Sequence, residues 1–555
     1  MKEGKSFGGK ALLIILLAVV VYLPSMGGGF IWDDDILITE NRVVRANDGL
    51  YRFWFTTDAA DYYPLTGSLW WLEWRLWGNS PVGYRVVNLA LHAANAVLLW
   101  LILRRLNVPG AWLAGLVFAI HPVNVATVAW ISEQKNTLSM LFYALAILLY
   151  LKFEDDGHGR WYGLSLAAFL LALFSKAAVV TLPVALLGCV WWRQGRVRWR
   201  DLLHTVPFFV LSLVLGLVTM WFQYEHSLKL HPMRMVGFPF RLAAAGWVPW
   251  FYLYKALLPF NLCLIYPLWK INASSFISYV PGAVLVGCLA LFWWKRKTWG
   301  RPWFFALGYF GVTLFPVLGF FDQSFYEFSL VADHWQYYSI IAVIALVVGI
   351  GDTLCRRTGQ QGQNNGAVLA AAVLMLLGLA TWTRSSVYGN PEALWRDTEK
   401  KNPDAWIAHT YVGLILCQQG RLEEAISEYE WALRDKPDFF AAYNDLGVAL
   451  EQAGREPKAI EAWERALQIK PDFIDARINL ANARLRAGQV AEAIEQYEQV
   501  LRIDPNVPVA HSNLGVALEQ AGRMPEAIEQ WKQALRIQPD FTLAQSNLAR
   551  VQGTR

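Results

Sequence analysis

Three adjacent acidic residues, Asp33, Asp34 and Asp35, directly follow the aromatic segment Phe30-Ile31-Trp32 near the N-terminus. Carboxylates this close together oppose joint ionisation, so at least one of them is expected to have a raised pKa and could act as a general base. A solvated acidic loop is the alternative interpretation of the triplet on its own. The sequence around the triplet is needed to distinguish a general base from a solvated loop.

Long apolar segments predict that these acids border a membrane. The chain is 55% hydrophobic over 555 residues, and about 20 mostly apolar residues form a helix that crosses a bilayer. Eleven candidate spans lie near residues 11–26, 84–103, 110–122, 135–151, 162–175, 177–192, 202–222, 279–294, 303–320, 335–353 and 366–383. The segment Gly246–Pro267 is apolar but interrupted by prolines, and is interpreted as a re-entrant or interfacial element.

The distribution of basic residues predicts the orientation. Residues 1–383 carry 29 basic and 19 acidic residues, whereas 384–555 carry 20 and 25. With eleven crossings, every basic cluster lies on the N-terminal side of the membrane, which the positive-inside rule makes cytoplasmic. The first apolar segment is expected to be an uncleaved signal anchor. The first outer loop and the C-terminal region are then extracytoplasmic, and a bacterial inner membrane is the expected location. No basic patch indicates a nucleic-acid partner.

The C-terminal region repeats every 34 residues. Prolines recur at positions 403, 437, 471, 505 and 539, and glycines at 420, 454, 488 and 522. This period is typical of tetratricopeptide (TPR) repeats, which stack as helix pairs into a solenoid and commonly bind other chains. We predict a membrane domain over 1–383, a linker or docking segment over 384–403, and four TPR repeats with a capping helix over 404–555.

One register of the repeat carries polar side chains that could bind an extended peptide on a concave face. These residues are Asp445, Asn479, Asn513 and Asn547. The alternative is that asparagine is simply common at this position of the repeat.

The membrane half resembles the transmembrane-and-TPR O-mannosyltransferase family in the order of its motifs. The matching segments are FIWDDDILITENRVV (30–44), YYPLT (62–66), YRVVNLALHAANA (84–96), FAIHP (118–122), SEQKNTLS (132–139) and ADHWQYY (332–338). The resemblance implies an all-α GT-C fold in which a polyprenyl-phosphate sugar enters from the bilayer. It also implies that an acid of the first outer loop, here Asp33 or Asp34, activates the acceptor hydroxyl. Asp35 stands where the family usually has no acid, and His334 and Lys135 stand where arginine is common.

Glycosyl transfer from a lipid phosphate also needs cations that stabilise the departing phosphate. The candidates are Arg85, Lys135, Lys176 and His334. Arg85 could instead be a residue that extends from a helix end to the interface, and Lys135 could only pair with Glu133. No metal site is assigned, although Asp33, Asp34 and Glu133 could supply oxygen ligands to a divalent cation. A glycine-rich phosphate loop and an HExxH motif are absent from the sequence.

The sequence therefore predicts an integral membrane glycosyltransferase that moves a sugar from a polyprenyl-phosphate donor to hydroxyl groups of an extracytoplasmic protein recruited by the TPR repeats. Two alternatives remain. One is a non-catalytic TPR scaffold for envelope assembly, and the other is a polysaccharide polymerase or ligase. The acidic triplet distinguishes the transferase from the scaffold, because a scaffold should tolerate neutralisation of these acids and the transferase should not.

Overall fold

The computed structural model describes residues 2–228 and 237–553, and the chain folds as two compact units, 1–401 and 402–555. Within the described ranges every regular element is helical. The predicted all-α class is confirmed. The division follows hydropathy, since the first unit contains the long apolar segments and the second contains the repeats.

The first unit is a helix bundle. Its α-helices are α1 Lys2–Tyr22, α2 Arg42–Arg45, α3 Gly49–Phe55, α4 Pro64–Trp77, α5 Pro81–Arg105, α6 Ala111–Ala119, α7 Val125–Ala129, α8 Gln134–Asp156, α9 Gly159–Ser175, α10 Leu182–Gln194, α11 Trp199–Gln223, α12 Phe238–Leu257, α13 Val280–Trp294, α14 Gly300–Leu314, α15 Ile340–Arg357, α16 Gly359–Tyr388 and α17 Pro391–Lys401. Seven described helical segments are long and apolar enough to cross a membrane, and a bent pair, α6 with the helical segment Pro122–Ala129, makes an eighth.

The predicted number of about eleven spans is compatible with this bundle. The three remaining predicted spans coincide with helices that are shorter or more charged, namely α9, α14 and α15. The bend of 46° after α6 falls where Pro122 restricts the preceding residue to extended backbone.

The segment predicted as re-entrant begins as part of α12, which continues through Pro249, and becomes irregular after Leu257. Its position relative to the bilayer stays a prediction.

Buried polar side chains join the bend and the short helix α7 to their neighbours. At the bend, the Thr381 hydroxyl donates to the Ile120 carbonyl at 2.5 Å. The Asn88 amide on α5 donates to the carbonyls of Thr127 and Val128 at 3.0 and 2.8 Å, at the C-terminal end of α7, and Thr137 on α8 donates to the Asn88 carbonyl oxygen. Carbonyls at a helix end inside an apolar bundle must find partners within the protein. Asn88 supplies them, and it thereby joins the end of α7 and the start of α8 to α5.

The segment that follows α1, predicted above as the first outer loop, has a small apolar core of its own. Ile38, Val44, Phe53 and Trp70 are buried together with Ile131, which lies just before α8. The loop therefore packs against the beginning of α8, and does not extend freely from the membrane domain.

The second unit consists of nine helices within the described residues. They are α18 Trp406–Gln418, α19 Leu422–Asp435, α20 Phe440–Gln452, α21 Glu456–Ile469, α22 Ile474–Arg486, α23 Val490–Ile503, α24 Pro508–Gln520, α25 Met524–Ile537 and α26 Thr542–Gly553. The repeating glycines 420, 454, 488 and 522 all have φ between 74° and 78°, the left-handed region that ends the first helix of each pair. The predicted TPR solenoid is confirmed.

Close helix packing in the first unit predicts a strong contrast between two glycines. A Cβ atom at Gly115 on α6 would lie 3.0 Å from the Trp100 Cβ, whereas one at Gly163 on α9 would have no atom within 4 Å. We expect Gly115→Leu to lower the free energy of unfolding by about 1–3 kcal/mol through overpacking. Gly163→Leu is the matched control and should leave it nearly unchanged. Thermal unfolding of the detergent-purified chain measures both, and equal effects would contradict the packing described here.

Candidate active site

The acidic triplet follows a residue in an unusual backbone conformation. Trp32 has φ of +51°, which is uncommon for a residue other than glycine. Its indole stacks on Trp130 at 5.7 Å between centroids and 8° between planes, and contacts the rings of Phe325 and Phe328. Such strain persists where surrounding contacts enforce it. The aromatic cage around Trp32 thus sets the direction in which the next residues leave it.

Asp34 joins the segment that follows α1 to the turn before α8. Its side chain is fully buried, and its two carboxylate oxygens accept from the backbone amides of Ile31 at 2.9 Å and Ser132 at 2.7 Å. Burial, followed by the proximity of Asp33, raises the pKa of Asp34 to about 8. Asp34 is therefore a buried connection between two segments that lie 98 residues apart in the sequence.

Asp33 is the more accessible acid. It is half-buried, and its carboxylate accepts from the Ser132 hydroxyl at 3.1 Å. Burial raises the pKa of Asp33 to about 6, Lys135 opposes that shift, and Glu133 adds to it. At neutral pH the carboxylate is mostly ionised, as a general base must be, and its pKa is close to the working range.

Asp35 takes part in a different local structure. It begins a single π-helical turn, Asp35–Thr39, and its carboxylate accepts from the Thr39 hydroxyl at 2.9 Å. The structure thus brings two of the three predicted acids, Asp33 and Asp34, onto Ser132, and directs the third along its own chain segment.

Glu133 lies at the centre of a charged cluster. Its carboxylate is 3.1 Å from the Lys135 ammonium, 3.5 Å from that of Lys176 and 3.9 Å from His334 Nε2. The glutamate side chain is 3% exposed, whereas the two lysines are 15% and 14% exposed. Both lysines therefore keep part of their surface open while Glu133 balances one of their charges.

The electrostatics distinguish the cations. Burial lowers the pKa of Lys176, which lies between α9 and α10, to about 8, so its ammonium persists at neutral pH. Burial also lowers the pKa of His334 to about 4, and the imidazole is neutral at that pH. His334 can contribute a hydrogen bond to a ligand but no charge, in contrast to the cationic role considered from the sequence.

Arg85 is placed outside this cluster. It is fully buried on α5 and donates to the backbone carbonyls of Gly28, Gly29 and Ala129. These bonds join the segment after α1 to the bend before α8. Because its donors point to protein carbonyls, Arg85 has the contacts of a structural residue, not those of a phosphate ligand.

Two residues of the cluster were not singled out from the sequence. Ser132 contacts both Asp33 and Asp34. Asp61 faces Lys135 and Lys176, and burial raises its pKa. Ser132 begins the SEQKN motif and Asp61 directly precedes the YYPLT motif. Their positions in or beside these family motifs are the sequence feature that could have identified them.

The carboxylates that could bind a divalent cation already have partners. Both oxygens of Asp34 accept backbone hydrogen bonds, and Glu133 faces two lysines and accepts from the Asn136 amide. A cation at this position would have to displace a lysine or a backbone donor. The donor set fits an ion-paired cluster better than a site for a divalent metal.

The predicted peptide-binding register of the repeats is half-buried. The Asn479 amide donates to Asn444 at 2.9 Å, and the Asn513 amide donates to Asn482 at 3.0 Å, in each case across successive repeats. Asn547 is also half-buried, and burial raises the pKa of Asp445 to about 6. One amide hydrogen of Asn479 and of Asn513 thus supports the stack itself.

Two family models match the chain. A dolichyl-phosphate-mannose-protein mannosyltransferase model matches residues 61–222, and a tetratricopeptide repeat model matches 392–430, 418–472 and 478–540. The first match includes Glu133, Lys135 and Lys176. The fold and the site therefore define a multi-pass helical membrane protein with C-terminal TPR repeats, and residues 61–222 are similar to the protein-mannosyltransferase family.

Individual relatives are consistent with that class. A protein O-mannosyl-transferase of Caenorhabditis elegans is 24% identical over 465 residues, covering 78% of this chain and 64% of the relative. Tmtc1 of Drosophila melanogaster is 31% identical over 185 residues (31% of this chain, 21% of the relative), and human TMTC4 is 28% identical over 203 residues (31% and 27%). The resemblance of this chain to the transmembrane-and-TPR O-mannosyltransferase family is confirmed. The chain spans about two thirds of the first of these relatives and about a quarter of the other two.

Solved structures match a limited part of the chain. The MamA protein is 25% identical, with a TM-score of 0.25, over 27% of this chain and 81% of MamA. YrrB, described as a TPR protein with an unusual peptide-binding site, is 24% identical, with a TM-score of 0.26, over 33% of this chain and 88% of YrrB.

Proposed function

We propose that this chain is a membrane glycosyltransferase that moves a sugar from a polyprenyl-phosphate donor to a hydroxyl group of an extracytoplasmic protein. The observation that carries the proposal is the half-buried Asp33 carboxylate beside a cluster that holds two partly exposed lysines, Lys135 and Lys176. A base and a pair of cations are the two groups that transfer from a lipid phosphate requires. The matching mannosyltransferase model and the relatives described above support the reaction class.

The proposed reaction is a displacement at the anomeric carbon of the sugar. The acceptor oxygen forms a bond to that carbon while the bond to the phosphate oxygen breaks, and the polyprenyl phosphate leaves with the electron pair. Asp33 takes the proton of the acceptor hydroxyl. Lys135 and Lys176 stabilise the negative charge that accumulates on the phosphate, and Asp34 positions Asp33 by holding the loop on Ser132.

Asp33→Asn should abolish most transfer without unfolding the protein. Loss of a general base lowers the rate by about 100-fold or more, and the half-buried Asp33 side chain can keep its contact with the Ser132 hydroxyl as an amide. Asp35→Asn is the matched control, because it removes the same charge two residues away and should keep nearly the full rate. The assay is glycopeptide mass spectrometry after incubation of the reconstituted chain with polyprenyl-phosphate mannose and acceptor protein. Equal transfer rates for the unaltered chain and Asp33→Asn would count against Asp33 as the base, and no transfer by the unaltered chain would favour a non-catalytic scaffold.

The pKa values of the two proposed groups predict a bell-shaped pH profile of kcat/KM. Asp33 must be ionised, so the rate should fall as the pH decreases through about 6. Lys176 must be protonated, so the rate should also fall as the pH increases through about 8. Lys176→Arg keeps its charge above pH ~9 and should extend the alkaline limb. A flat profile from about pH 5 to about pH 9, or an alkaline limb that Lys176→Arg does not move, would contradict these roles.

We further propose that the TPR repeats bind the protein acceptor. Stacked helical repeats commonly present an extended surface to other chains, and 402–555 form a compact unit of their own. A chain that ends at Lys401 should therefore show a KM for a folded acceptor protein increased by about tenfold, with the rate on a short acceptor peptide retained. The peptide reaction is the internal control for an intact membrane unit. An unchanged KM for the protein acceptor would refute recruitment by the repeats.

A further inference from the structure

A long apolar groove lies in the first unit, between α15 and the helices α5, α8, α10 and α14. Its volume is about 430 Å³. Ile341, Ala345, Gly349, Thr353 and Arg357 of α15 line it at intervals of four residues. These positions form a row that follows the helix for about 24 Å, at 1.5 Å per residue, and turns by about 40° around its axis at each step. The groove is therefore an elongated slot along a helix, with the dimensions of an extended hydrocarbon chain.

The charged end of the groove is formed by the C-terminal turns of α15. Thr353 and Arg357 occupy these turns, and a second cavity of about 370 Å³ shares Leu106 and Trp192 with the groove. Arg193 and Arg301 line this second cavity. Away from the charged end, Tyr143 and Tyr309 line the groove, and the Tyr143 hydroxyl donates to that of Tyr309 at 3.3 Å.

The basic end has unbalanced positive charge. Arg193 pairs with Asp155, which also accepts from Arg105. Arg301 donates to the carbonyls of Trp191 and Trp192, and its Nε atom is buried without a partner. In the part of the chain that the structure describes, no carboxylate lies within 4 Å of the Arg301 or Arg357 guanidinium. An anionic group with hydrogen-bond acceptors would complement this end.

We propose that the groove binds one anionic phospholipid, with an acyl chain along α15 and the phosphate beside Arg301 and Arg357. Basic pockets between membrane helices favour anionic lipid headgroups, and an apolar slot that ends in arginines matches the two halves of such a lipid. The arrangement differs from that needed by the sugar donor, because Lys135 and Lys176 belong to the start of α8 and the turn before α10. The basic end of the groove lies instead at the C-terminal ends of α5 and α10, at Leu106 and Arg193.

Native mass spectrometry of the full chain tests the proposal. The chain is purified in detergent and titrated with dioleoyl phosphatidylglycerol or with dioleoyl phosphatidylcholine, which share acyl chains and differ in net charge. We expect one phosphatidylglycerol to be retained with an affinity about tenfold above that of phosphatidylcholine, since a charge-assisted contact is worth about that factor. Arg357→Gln, at an exposed helix end, should remove most of this preference.

Two matched controls make the site specific. Arg356→Gln removes a neighbouring charge that pairs with Asp352 and does not line the groove, so it should leave the preference intact. Ala345→Phe fills the groove and should weaken both lipids, whereas Val347→Phe, at a position that is 51% exposed and outside the groove, should weaken neither.

Three results would overturn the proposal. The first is equal retention of the two lipids by the unaltered chain. The second is an unchanged preference in Arg357→Gln, which stays informative if Ala345→Phe fails to fold. The third is displacement of phosphatidylglycerol by polyprenyl phosphate together with loss of polyprenyl phosphate binding in Ala345→Phe, since the groove would then hold the donor chain.

Discussion

The hydrogen bond from the Ser132 backbone amide to Asp34 is the contact on which the rest of the site depends. It is 2.7 Å long, and it joins the segment that follows α1 to the turn that begins α8. A buried acceptor that receives two backbone donors cannot be moved without leaving those donors unpaired, at a cost of about 1–3 kcal/mol each. Once Asp34 is held in this way, Asp33 is placed beside Ser132 and Lys135. The position of the proposed base therefore follows from the burial of its neighbour.

The same segment is fixed from two further directions. Arg85 joins the carbonyls of Gly28 and Gly29 to that of Ala129, and Trp32 stacks on Trp130. Each contact connects residues 28–34 with residues 129–132. The charge balance is equally local, because Glu133 neutralises part of the charge of Lys135 and Lys176 while leaving both partly exposed. A site arranged in this way holds its charges in position before substrate arrives, which is the requirement for electrostatic catalysis.

Much of the fold could be predicted from the sequence because its signals are local. The 34-residue period and the glycines at 420, 454, 488 and 522 are short-range features, and they correctly predict the helix pairs of the repeats. Apolar length likewise predicts the helices of the bundle. The break at His121-Pro122 and the helical start of 246–267 show the limit of this reasoning, since distant neighbours such as Thr381, which donates to the Ile120 carbonyl, decide whether an interrupted segment bends.

The site was less accessible to sequence reasoning because its contacts are distant in the chain. Asp33, Asp34 and Asp35 are the same residue type, and the resemblance alone favoured the first two. Their contacts with Ser132, 98 residues beyond Asp34, distinguish them physically from Asp35. The sequence made Arg85 a candidate phosphate ligand, whereas in the structure its guanidinium donates to three backbone carbonyls. Lys135 and Lys176 could each be proposed alone, whereas their common partner Glu133 is a feature of the tertiary structure.

In the proposed mechanism the donor phosphate binds at Lys135 and Lys176, and Asp33 faces the acceptor hydroxyl. A cryo-electron microscopy structure of the full chain with a non-transferable polyprenyl-phosphate sugar analogue tests this placement of the donor. We predict that phosphate oxygens lie within hydrogen-bond distance of both ammonium groups and that the Asp33 carboxylate borders the anomeric carbon. A phosphate bound away from these lysines, or an Asp33 carboxylate separated from the sugar by protein, would contradict the proposed mechanism.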